Sequence, residues 1–106
     1  ELAESKMYDP RTHIAYPERL RQLLEVQESM KEAGVADHVL IRFKDKDKER
    51  VSDQLSGMIR ASDVLGTDED GNIYLLLVQM NRENFRIVGD RLNGKGMKYQ
   101  IVEAVG

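Results

Sequence analysis

The sequence predicts an α+β domain, a four-stranded antiparallel sheet laid down in the order strand, helix, strand, strand, helix, strand, with one extra helix ahead of it. Three observations carry this. Apolar residues recur at helical spacing in three stretches, alternate or run continuously in four others, and a turn dipeptide, Asp70-Gly71, joins two of those four.

Taken in order, Leu20, Leu23, Leu24 and Met30 mark a helix from Pro17 to Ala33, with Pro17 suited to the first turn and Gly34 to the C-terminal cap. Strand one runs from His38 to Phe43, where Val39, Ile41 and Phe43 share a face. The mixed charges from Lys44 to Arg50 read as a solvated loop and first helical turn. Val51, Leu55, Met58 and Ile59 then predict helix two over 49–61. Strand two covers 63–67. Strand three, 73–78, is apolar almost throughout, as a strand covered on both faces should be. Asn81 is placed to cap helix three, whose stripe is Phe85, Val88 and Leu92, and Asn93-Gly94-Lys95-Gly96 ends it before strand four at 97–105. The order is the split βαβ of ferredoxin-like folds.

Residues 1–14 read as a linker, with 1–9 the tail of a preceding helix, and 15–106 as the domain. A chain of 106 residues holds one core. No apolar run nears the roughly 20 residues of a membrane helix, and the N-terminus lacks the apolar stretch of a signal peptide, so a cytoplasmic domain is expected, with the cytosolic part of a membrane protein as a variant of that reading. Without cysteine there is no disulfide, no thiolate metal site and no cysteine nucleophile, and His13 and His38 stand alone. A net charge of −3 argues against a general DNA or RNA surface. The acidic run from Asp68 to Asn72 does not have its glycine at the sixth position of a calcium loop and has no closing glutamate at the required spacing, so it reads as a turn.

Right-handed crossovers lead to strands one and three lying side by side and parallel, with helices two and three running the same way and ending on a shared edge. Arg60, in the last turn of helix two, Arg91, in the last turn of helix three, and Asp63, opening strand two, would then share one rim. A guanidinium fork fits guanine O6 and N7 or a phosphate, and a carboxylate accepts from guanine N1–H and N2–H. Arg-x-x-Asp also occurs at Arg42 to Asp45 and Arg50 to Asp53, and by itself it reads as a local ion pair at a helix end worth about 0 to 1 kcal/mol.

Arg60-Ala-Ser-Asp63, five residues, then a hairpin and an apolar strand resembles the GGDEF domains of diguanylate cyclases, whose inhibitory site is an Arg-x-x-Asp at that distance from the signature hairpin. Asp9 to Thr12 with Arg19-Leu20 is similar to the family's opening segment, Phe43-Lys44 to the Phe-Lys after its first strand, and Ile87 to Leu92 to the helix carrying a second ligand-binding arginine. The signature itself is replaced by Glu69-Asp70-Gly71-Asn72-Ile73, strand one carries no aspartate for magnesium, and the segment before helix two is short. The resemblance therefore implies a degenerate domain that is not an enzyme and needs no cofactor. It implies a cyclic di-GMP receptor similar to those of bacterial exopolysaccharide machinery, the PelD type among them. Arg60, Asp63 and Arg91 would bind the ligand, with Arg82 and Arg86 adding positive potential. Neighbouring domains of the parent chain are the expected partners, and a self-stacked ligand dimer and a homodimer are what family precedent implies. The alternative is an interaction or dimerisation module that binds no nucleotide.

Overall fold

The computed structural model describes Tyr8 and residues 13–105. The helices are α1 (Pro17–Glu32), α2 (Lys48–Leu55) and α3 (Arg82–Gly94), and the strands β1 (His38–Phe43), β2 (Val64–Thr67), β3 (Ile73–Val78) and β4 (Tyr99–Val102). The strands form one sheet in the order β2-β3-β1-β4, and all three pairings are antiparallel.

Each side of the sheet has its own core. Val39, Ile41, Phe43, Ile73, Leu75 and Leu77 meet Val51 and Leu55 of α2 and Phe85 and Leu92 of α3. On the opposite face Leu40, Tyr74 and Leu76 meet Leu20 and Leu24 of α1. β3 is thus covered on both faces, which is why it reads as a continuous apolar run.

Three expectations change. β1 and β3 are neighbours, but antiparallel, with His38 opposite Val78 and Phe43 opposite Ile73. The parallel relation belongs to β1 and β2, which β3 separates. Each crossover helix runs against the strand before it, so α2 and α3 point in opposite directions and their C-termini lie at opposite ends of the sheet. Helix α2 also stops at Leu55, because Gly57 takes φ +79° and the chain closes into short turns through Met58 N–H to Leu55 O, 2.9 Å. Met58 and Ile59 still pack on the core from that turn. β4 is shorter than expected at both ends, since Met97 N–H is committed to the α3 carbonyl of Leu92 at 3.0 Å.

Ahead of α1, Ile14 is 1% exposed within the main core, and Ala15 donates to Leu65 O at 2.8 Å and accepts from Thr67 N–H at 3.0 Å. These bonds occupy part of the open edge of β2. Ala15 also bridges to Tyr8. The expected tail of a preceding helix and the stretch from Asp9 to Thr12 lie outside the described residues, apart from Tyr8.

Candidate functional site

Arg60 and Asp63 are brought together, but from a turn rather than a helix end. The turn closes through Asp63 N–H to Arg60 O at 3.0 Å, and the Asp63 carboxylate reaches back to accept from Arg60 N–H at 2.9 Å. The same carboxylate takes Arg60 Nε at 3.3 Å on Oδ2 and Arg60 Nη2 at 3.0 Å on Oδ1. Nη2 also donates to the carbonyl of Val78, 2.6 Å away at the end of β3. A four-residue turn is thereby fastened to the neighbouring strand. The Asp63 side chain is 2% exposed, whereas that of Arg60 is 48% exposed.

The other candidates lie elsewhere. Val78 leads directly into Asn81, whose side chain caps α3 by accepting from Asn84 N–H at 2.7 Å, so α3 begins at the Arg60 end of the sheet. It then runs away, and Arg91 sits about 13 Å further along it at 1.5 Å per residue. The shared rim expected for Arg60, Asp63 and Arg91 therefore does not form, for the topological reason given above. Arg82 is paired with Glu103 at 3.2 Å, next to β4 on the far side of the sheet from β2. Arg86 and Arg91 are exposed.

At the opposite end of β2, two of the three hairpin acids, Asp68 and Glu69, are occupied. Asp68, 5% exposed, accepts from the backbone N–H groups of Asp70 and Asn72, both at 2.9 Å, from Asn72 Nδ2 at 2.9 Å and from Tyr74 Oη at 2.8 Å. Burial pushes its carboxyl up, but the bonds from Asn72 and Tyr74 and the two backbone donors outweigh burial and hold it below the ordinary range. Glu69 is held by both Nη1 and Nη2 of Arg21 on α1, at 2.7 and 2.5 Å. That fork lowers the Glu69 pKa and raises that of Arg21.

A recess of about 480 Å³ opens beside Asp63. It is walled by Ile59, Val64 and Leu65, with Ser52 and Asp63 as polar groups and with Tyr8 and His13 from the N-terminal segment. Sequence reasoning missed Tyr8, His13 and Ser52 because no spacing or motif links them. Only the pairing of Ala15 with β2 brings the first two there.

No protein-family model matches the chain, and no curated protein matches it. Among solved structures, it is similar to the diguanylate cyclase SiaD of Pseudomonas aeruginosa, solved in complex with its activator SiaC, with a TM-score of 0.67 at 17% identity. The match covers 94% of this chain and 50% of that one, so the chain spans half the length of the cyclase structure. The likeness extends through both helical layers and the sheet, and the fold is GGDEF-like.

Proposed function

We propose that this is a non-synthesising GGDEF-like domain that binds cyclic di-GMP through Arg60 and Asp63 and thereby regulates a larger bacterial protein of the exopolysaccharide-machinery type. The observation that carries the reading is what the Arg60–Asp63 pair leaves free. Of the five guanidinium donors, Nε and Nη2 are engaged, and Nη1 makes no bond among the described residues. The Asp63 carboxylate, 2% exposed, holds the guanidinium in place, and the unengaged Nη1 can donate to guanine O6 or N7 or to a phosphate without breaking the pair. Arg91 joins only through a ligand long enough to span the rise along α3, which a stacked pair of dinucleotides provides and a single guanine does not.

Loss of synthesis is supported by the hairpin. Asp68 is consumed in the turn and Glu69 in the bond to α1, and Val39 to Arg42 offer no carboxylate for a metal. A second reading, an interaction or dimerisation module without nucleotide binding, is favoured by the near-complete burial of the Asp63 side chain against Arg60. Under it the pair only pins the 60–63 turn to β3.

Titration calorimetry separates the two. The receptor reading expects micromolar or tighter cyclic di-GMP binding, weakened at least tenfold by Arg60→Ala and by Asp63→Ala, with no heat from GTP. Folded protein that gives no heat with cyclic di-GMP at high concentration leaves the interaction module as the better reading.

A further inference from the structure

The two edges of the sheet are unequally finished. The outer edge of β2 is partly taken by Ala15, whereas no strand lies beyond β4 among the described residues. The register of β4 on β1, with Lys44 N–H donating to Lys98 O at 3.0 Å, turns the backbone groups of residues 98, 100 and 102 toward β1. Those of Tyr99, Ile101 and Glu103 therefore point outward, and none of them is bonded to other backbone among the described residues. β4 is short, but it contains no proline, bulge or charged side chain to blunt this edge.

We infer that β4 pairs antiparallel with β4 of a second copy of this chain about a twofold axis at Ile101, joining two four-stranded sheets into one. The inference is independent of how Arg60 and Asp63 are read. A second copy is the occupant because the edge is complementary to itself. With Ile101 opposite Ile101, Tyr99 falls opposite Glu103 of the second copy, so all three outward residues of each chain exchange backbone bonds in a single register. Charge follows the same axis. Gly89 of α3 lies against the Tyr99 hydroxyl and Arg82 bonds Glu103 at 3.2 Å, so the axis passes midway between Gly89 and Arg82. The two α3 helices then run antiparallel, and Arg82 of each comes to the turn that carries Asp90 of the other. Arg86, nearest the axis, meets its own copy, which keeps the association weak. Two helices share a face of four strands about 4.8 Å apart, so each sits inward of the edge and the two α3 axes come about 10 Å apart, an ordinary packing distance.

The test is the oligomeric state of the whole chain without ligand, by sedimentation across a concentration series. The unmodified chain is expected to dimerise, and Ile101→Lys and Glu103→Pro are each expected to weaken dimerisation roughly tenfold. Ile101→Lys sets two like charges opposite each other on the axis. Glu103→Pro removes a donor from the outer edge alone, at a side chain 82% exposed, and leaves the pairing with β1 intact. The chain has no cysteine, so Ile101→Cys supplies a single thiol whose Cα would lie about 5.5 Å from its counterpart. Oxidation should link two copies of Ile101→Cys far faster than two copies of Val26→Cys, a change at an exposed position on α1. A chain that stays monomeric throughout the series, or a dimer that neither substitution weakens and that cross-links equally through both thiols, would overturn the inference.

Discussion

Two carboxylates five residues apart, at either end of β2, show how residue type underdetermines role. Asp63 is neutralised by a cation, whereas Asp68 is held by four neutral donors from the turn and from Tyr74. Because the folded pKa of Asp68 is depressed, its stabilising contribution is fully present above the ordinary carboxylate pKa of about 3.9. It is lost as pH falls through that value toward the folded one. Asp68→Asn is expected to cost about 1–3 kcal/mol at neutral pH in urea denaturation, since it replaces acceptor positions with donors that face donors. The variant should also lose stability less steeply than the parent as pH drops below about 4. Identical acid slopes in the two proteins would mean that Asp68 is not the group responsible. The acidic turn itself was legible from Asp70-Gly71, but the donors that lower the Asp68 pKa include Tyr74, which arrives only when β3 folds back.

Among the elements, α2 is the one whose sequence pattern misleads. Its apolar spacing continues to Met58 and Ile59, and both residues are indeed packed, yet the backbone has already left the helix at Gly57. Periodicity reports which side chains are buried, and a turn can bury them at the same spacing as a helix. In α3 the informative residue is Gly89. A Cβ there would lie 2.5 Å from the Tyr99 hydroxyl, and Tyr99 in turn meets Phe85 edge to face at 5.7 Å between ring centres. Gly89→Ala must therefore displace β4's aromatic ring, at a cost of about 1–3 kcal/mol. The penalty should shrink in a Tyr99→Phe background, where the clashing oxygen is gone, and a double-mutant cycle by chemical denaturation reads the difference. Equal penalties in the two backgrounds would show that the hydroxyl is not the obstacle.

At the scale of the whole molecule the sheet is the divider between two cores, and among the described residues α1 supplies the helical cover of one of them. It packs tightly on Gly66 in β2, where a Cβ would come within 2.9 Å of the Leu20 side chain. Leu20 is fully buried there, so Leu20→Ala is expected to remove about 2–5 kcal/mol, seen as a lower urea midpoint. A loss below about 1 kcal/mol would mean that α1 contributes little to the folded state, since surface truncations fall in that range. The Arg21–Glu69 fork ties the same helix to the hairpin turn, so α1 contacts both the sheet face and the β2–β3 loop. No helix among the described residues is long and apolar enough to cross a membrane.

Local chemistry accounts for the parts of the fold that the sequence by itself determined. Asn81 caps α3, Pro17 opens α1, the left-handed glycines close helices and turns, and the alternation in β1 selects which side chains face α2 and α3. These depend on neighbours a few residues away, so they are written in spacing. The Arg60–Asp63 pair belongs to this class too, because three residues of chain suffice to bring it together. Strand direction follows from connectivity: the helical crossover leaves β2 parallel to β1 and the tight hairpin reverses β3, so β1 and β3 are antiparallel and α3 carries Arg91 away from Arg60. Lateral order has no such local signal. The burial of both sheet faces seats β3 between β1 and β2 and leaves the outer edge of β2 to Ala15, which brings Tyr8 and His13 to the wall of the recess through its backbone. Backbone pairing is nearly indifferent to side-chain identity, and so the tertiary structure alone decides what surrounds Asp63.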